Sequence, residues 1–590
     1  MKPPGSDVMI PRFIPPSALV AVVVLIVLVA YTTQAQPSGD VPMPVLLAEV
    51  SQRVRVVMAP DGNDSGDGTR ERPLSTFGAA IARLKALTAG EKGRVACEIR
   101  FLPGRYALRD VFIQYTKDYV VSGAAGERRL DVSFVGEGNV TLDAAGVVVP
   151  AGHGVITTSS CGIEIRNIRI VNSNEFGIRL GTSLERRSTN ILLSDVTVDS
   201  TFSHGVRIGE DGSPLSDTVA LVSCSITHTN LMNDRGMRGQ FGSALKLFGA
   251  RDVNVIECKI GRNWGEAVCI NNSSRVRVRR CTIYDNWAPG VYCDVGSDVV
   301  VEGCTFRSDK DTTMFPAGRR GMVAVLISTE GWAGSPNELR CQNIDIINNV
   351  FVNMAGCLDI WEGAIGFTQQ QIISGIRFAH NTCVGMWTTK GNTSTAFLNL
   401  VYSVPFPNNR QIRNVLIANN IFSVDPTLVA PNRWIRLPAE AVLAMTYPSN
   451  HWSASVPGIA TTFGNIVAPS LPLTEPASWL PEVTPSLRGR VPRLSWVASD
   501  AGGRTRGSDS TNVGAYELAL PSSVSVDVEH ASPSVWPVVG ASTTVCAPGR
   551  RVQVLVCAVD GRMLTAADLD RGECRMISWP AFQPVLVMMQ

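Results

Sequence analysis

The stretch DVNVIECKIGRNWGEAVCINNSS (252–274) is followed without a gap by RVRVRRCTIYDNWAPGVYCDVGS (275–297), and the two align in register over their whole length. A further copy opens as DVVVEGCTF (298–306), and weaker ones include NILLSDVTVDSTFSHGVRIG (190–209) and NIDIINNVFVNMAGCLDIW (343–361). Each copy holds two short alternating β segments around a polar turn, with no amphipathic helix between them. Such units cannot bury their apolar faces alone, so they are expected to stack as the coils of a β-solenoid, about 4.8 Å apart.

Working outward, one column of the alignment reads Asn167, Asp195, Cys224, Cys258, Cys281, Cys304, Asn349, Asn381, Asn420. Cysteine interchanging with asparagine at one turn is the behaviour of an interior side-chain ladder. These cysteines, among 14 in the chain, are therefore expected as reduced thiols, although stacked coils would also permit bridging. Upstream, Ser75 or Thr76 can N-cap a helix carrying Phe77, Ile81 and Leu84 on one face, suited to covering the exposed edge of the first coil.

The 590 residues alone would suggest roughly four domains, but the repeat merges most of them into one solenoid. Lys+Arg number 53 against 51 Asp+Glu, a formal +2 that argues against a nucleic-acid binder. The apolar run Ala18 to Tyr31, preceded by Lys2 and Arg12, fits a secretory signal better than a membrane span. Expected boundaries are a signal peptide at 1–35, a linker at 36–50, cap and first coils at 51–130, the solenoid at 131–517 and a small β module at 518–590. The mature chain is then a secreted or cell-surface monomer with no membrane span.

APDGNDSGDGTRERPLSTFGAAIARL (59–84) followed by IRFLPGRY (99–106) resembles the N-terminal segment of exported right-handed parallel β-helix proteins of the pectate-lyase-like superfamily. SDAGGRTRGSDSTNVGAYE (499–517) is similar to the closing segment of many of them. The resemblance implies an all-β fold, a right-handed parallel β-helix with an N-terminal capping helix and a small C-terminal β module. It leaves the activity open among lyases, glycoside hydrolases, epimerases and non-catalytic surface proteins. RVQVLVCAVDGRML (551–564) faintly resembles C-terminal sorting domains of type IX secreted proteins, without their usual final Gly-x-Tyr.

Gly177, Gly205, Ala244, Ala267, Gly290, Ala324 and Cys357 align as a small residue opening the second strand of each coil. Two positions on, the side chains should point outward, and they read Arg179, Arg207, Lys246, Cys269, Tyr292, Leu326, Asp359. Stacked like charges ask for an anion. On one reading the cations bind an acidic, uronate-rich polysaccharide, with Lys246 or Arg207 as general base in β-elimination. On the other, loop carboxylates such as Glu210 and Asp211 pair the arginines. Arg179, His204, Glu266, Tyr292 and Asp294 are the expected substrate contacts.

A glycoside hydrolase needs two carboxyls within about 9.5 Å, whereas Glu266 and Asp294 lie five residues apart along the strand, roughly 16 Å. Loop partners such as Asp234 or Glu330 stay open. Phe202, Phe241, Trp264 and Trp287 form an aromatic column better suited to core closure than to sugar stacking. Insertions at Cys224→Ala244, Cys304→Ala324 and Asn381→Phe397 leave the same turn of different coils and should wall one face. The Asp61–Gly68 loop is oxygen-rich like a calcium loop, but its twelfth position is Arg72; a capping turn without cofactor is expected, with calcium as the alternative.

Overall fold

The computed structural model describes residues 53–516 except 90–93, 115–128, 182–187, 211–215, 237–238, 240–241, 331–337, 362–369, 402–409, 425–428, 437–444, 457–464, 468–490 and 508–509. It also describes residues 41–44 and six strands between 535 and 589. The expected signal peptide and most of the linker lie outside the described residues, as do Asp211 and Phe241.

Each coil contributes one strand to each of three parallel sheets. The first sheet has 13 strands, from Arg53–Met58 to Met445–Thr446. The second also has 13, from Gly104–Ala107 to Ile466–Val467, and the third has 11, from Phe112–Gln114 to Ile435–Arg436. Inside them runs one continuous apolar core, from Val56 to Val456. Phe77–Leu87 is the only α-helix among the described residues. Thr76 caps it by accepting from the Ala79 N–H, and buried Phe77 packs edge-on against Phe101 and Phe112. The expected capping helix is therefore present, with Ala80 buried on its inner face and Ile81 only partly so.

The ladder has a physical explanation. After most strands of the first sheet one residue turns left-handed, for example Glu257 (φ 54°), Arg280 (φ 52°), Asn348 (φ 58°) and Asn419 (φ 58°). The next side chain then points inward. Cys258 and Cys281 donate their thiols to Leu221 and Val255 carbonyls at 3.6 and 3.4 Å. Asn349, Asn381 and Asn420 donate their amides to equivalent carbonyls of Val301, Ile346 and Phe378 at 2.8–2.9 Å. Cysteine and asparagine interchange because each supplies a donor there. Asparagine adds an acceptor for the backbone N–H of the preceding coil's ladder residue, so Asn349→Asn381→Asn420→Asn450 form a chain at 2.8–2.9 Å. Two members of the expected column move: Asn167 (φ 53°) and Asp195 (φ 55°) occupy the left-handed position, and buried Ile168 and Val196 take the inward one. The 11 cysteines of the solenoid form no disulfide.

Residues 491–516 belong with the solenoid. Leu494 and Val497 join Val300, Ile347, Ala379 and Leu416 in a second apolar cluster on the outside of the first sheet. A separate unit comprises 472–488 and 517–590; its six described strands, from Val535–Val538 to Val585–Met589, pair antiparallel. No described helix is long and apolar enough to cross a membrane.

Candidate functional site

The outward column of the third sheet stands in the register read from the sequence. Arg179 pairs with Arg207, then Lys246, Cys269, Tyr292, Leu326, Asp359 and Asn399 in successive coils. Simple alternation fails at the start of each strand, however. Ala244 and Leu245 both enter the core, as do Ala267 with Val268 and Ala324 with Val325. The preceding residue therefore shares the outer face with the Lys246 column. That break brings Glu266 to Lys246, which strict alternation would not.

The two arginines are spoken for. Arg179 and Arg207 both pair with the Glu210 carboxylate, Arg207 at 2.5 Å. The Arg207 guanidinium thus neutralises a loop acid. His204 accepts the Ser243 N–H at Nδ1 (2.8 Å), which places its hydrogen on Nε2. Burial, with Lys246 and Arg207 nearby, pushes its pKa down to about 3, so it stays neutral. Ser243 in turn donates to Glu266 at 2.6 Å.

Lys246 forms the centre of a covered polar cluster. Its ammonium lies 3.3 Å from the Cys269 sulfur. Burial opposes its charge, but Cys269, Glu266 and Asp294 outweigh that and raise its pKa above the ordinary lysine value. The raised pKa favours its ammonium form, fit to neutralise an anion. Asp294, 2% exposed, accepts from Asn271 Nδ2 at 2.5 Å and from the Glu330 backbone N–H at 2.7 Å. Burial and the Glu330 carboxylate push Asp294 up to about 7. Glu266 and Glu330 are also raised, each chiefly by burial. Buried Tyr292 lies close enough to Glu330 to lower that carboxyl's pKa, and burial raises its own hydroxyl well above the usual value. Of the expected contacts, Lys246, Glu266, Tyr292 and Asp294 therefore come together. Glu330 joins them from a loop, whereas Arg179 and Arg207 gather separately around Glu210.

Further along the same column a cleft of about 200 Å³ opens, lined by Trp287, Arg319, Arg320, Leu326, Asp359 and Trp361. The Cys304→Ala324 insertion supplies Arg319, Arg320 and Gly321 to its wall, and the Asn381→Phe397 insertion packs against it: Gly318 N–H donates to Lys390 O at 2.9 Å, and Asn392 Nδ2 to Gly318 O at 3.0 Å. Arg320 pairs with Asp359, which also accepts from Asn399 at 2.9 Å. Arg319 stacks on Trp287, its guanidinium carbon 4.4 Å from the ring centre. Sequence reading missed Arg319, Arg320 and Trp361. The Arg–Arg pair inside the Cys304→Ala324 insertion was the available signal.

Trp264 and Trp287 pack at 5.8 Å and Trp287 stacks on Phe315 at 6.0 Å, while Phe202 is exposed. At the N-terminal loop, Asp64 caps Ser75 and Thr76 through their N–H and hydroxyl groups, and Asp67 accepts from Thr69. Among the described residues no group of three or more acidic, His or Cys side chains is arranged to hold a metal ion.

The family described as right handed beta helix region matches residues 183–368. No curated protein matches the chain. Similar solved structures include a pectate lyase at 11% identity, covering 82% of this chain and 100% of that one, with TM-score 0.33. A mannuronan C-5 epimerase module from Azotobacter vinelandii is similar at 11% identity, covering 57% and 94%, with TM-score 0.28. A lacto-N-biosidase from Eubacterium ramulus is similar at 9% identity, covering 61% and 68%, with TM-score 0.33. Similarity at this level assigns no activity. With its stacked coils, three parallel sheets and matched segment, the chain has the fold of a right-handed parallel β-helix.

Proposed function

We propose that the outer face of the third sheet binds a uronate-rich polysaccharide and cleaves it by β-elimination at the Lys246–Asp294 cluster. The observation that carries this reading is a carboxyl group with a pKa of about 7, Asp294, held near the Lys246 ammonium, whose pKa is raised. A group titrating near neutrality can take up a proton and release it again. In this scheme Lys246 neutralises the uronate carboxylate and so acidifies the adjacent C–H. Asp294 takes that proton as the carbon–carbon double bond forms. The bond to the glycosidic oxygen breaks, and the Tyr292 hydroxyl protonates the departing oxygen.

A second reading is supported by Asp294 and Glu330, two neighbouring carboxyls with raised pKa values, the composition of a hydrolytic acid–base pair. On either reading the substrate reaches the chain outside the cell, in keeping with the apolar run at Ala18 to Tyr31. Incubation with polygalacturonate, alginate and neutral glycans tests the proposal. New unsaturated-uronate absorbance supports elimination, and saturated reducing ends support hydrolysis. Binding with neither product would leave a non-catalytic surface protein.

A further inference from the structure

We infer that the cleft beside Trp361 is a subsite for a single anionic sugar residue, whose carboxylate is held by Arg319 and whose ring lies on Trp361 and Leu326. This rests on the acidic-polysaccharide reading above and specifies where the charge is recognised.

Arg319 is built into place. Trp287, itself packed on Phe315, lies beneath the guanidinium. One guanidinium nitrogen donates to Trp287 O at 3.2 Å, and Thr389 Oγ1 fixes the Arg319 carbonyl at 2.5 Å. Yet among the described residues no carboxylate pairs with Arg319, and its buried Nε has no hydrogen-bond partner. The neighbouring Arg320 takes Asp359, so the carboxylate lining the cleft is already neutralised. Burial and Arg320 together depress the Arg319 pKa, as expected for a cation short of an anion. A planar carboxylate matches the guanidinium fork.

Size points to one ring. The cleft of about 200 Å³ is below the roughly 300–1,000 Å³ of sites for drug-sized ligands. Trp361 and Leu326, both half-buried, offer the apolar patch a pyranose face needs. Because Leu326 and Asp359 follow Tyr292 in the outward column, a chain seated here would run along that column toward Asp294.

The test is equilibrium binding of an oligogalacturonate and of its carboxyl-reduced neutral counterpart, read by tryptophan fluorescence. The full chain carries Asp294→Asn so that turnover does not interfere. Arg319→Gln is expected to weaken the acidic ligand roughly tenfold to a hundredfold and leave the neutral one unchanged. Trp361→Ala should weaken both. Arg319→Lys, which keeps the charge, should recover part of the acidic affinity, and unchanged circular dichroism excludes misfolding as the cause. Equal loss for both ligands, undiminished acidic binding in Arg319→Gln, or no acidic binding at all would overturn the subsite. If the chain with Asp294 intact cleaves the polymer with unchanged KM after Arg319→Gln, the subsite fails and the cleavage reading stands. If Arg319-dependent binding occurs without cleavage, the reverse holds.

Discussion

The backbone N–H of Glu330 donates to the Asp294 carboxylate at 2.7 Å, so the loop that brings a second carboxyl to the cluster also anchors the first. This bond favours ionised Asp294, while burial and the Glu330 charge oppose it more strongly. Asp294→Asn keeps an acceptor for Glu330 but cannot carry a proton. Product release is expected to fall roughly 10²- to 10⁴-fold, with the fold intact by circular dichroism.

The same carboxyl makes stability depend on pH. Its folded pKa of about 7 lies above the ordinary aspartate value of 3.8, so the folded state binds more protons across that window. Unfolding free energy should therefore decline between about pH 4 and pH 7 through this group. Asp294→Asn should flatten the decline, measured as urea midpoints across the range; an unchanged slope would assign the titration elsewhere.

Lys246 lowers the pKa of both Glu266 and Asp294. Replacing it with Met removes the cation and leaves two buried acids facing each other's charge. The Asp294 titration is expected to move upward by about a unit, seen in the pH dependence of residual activity or of the carboxyl carbon resonance. Turnover of acidic polymer should fall more than turnover of any neutral glycan.

Asn381 joins three coils through amide bonds to Ile346 O and Asn420 and by accepting the Asn349 N–H. Asn381→Ala strands buried donors and acceptors. A loss of about 2–4 kcal/mol is expected in chemical denaturation. Asn381→Cys, which retains a donor to the carbonyl, should be the milder change.

The cysteines give a chemical readout of the ladder. Cys293 and Cys341 approach to 3.4 Å between sulfurs without a bond, and all the described thiols are buried except the partly exposed Cys161. Thiol titration in denaturant without reductant should count at least 11 of the 14 cysteines, with little reaction before unfolding.

The coils, the capping helix at Thr76 and the outward Lys246 column were legible because a solenoid repeats one local rule. Each coil must place apolar side chains inward at the same positions, and its neighbour must match it hydrogen bond for hydrogen bond. Asn167 and Asp195 were misplaced by one residue because a left-handed turn residue and an inward donor are both polar and adjacent. Glu266 joined the cluster only because Ala267 and Val268 both turn inward, a break in alternation with no side-chain signature. Loop geometry decided the rest: Glu210 takes the two arginines, Glu330 reaches Asp294, and Arg319 settles on Trp287. By itself the sequence determined the fold and the cationic column, since both follow from short-range periodicity. Tertiary structure alone decided which cations are spent on ion pairs and which acids change their pKa. Those outcomes depend on burial and on where the loops fold, and no repeat encodes them.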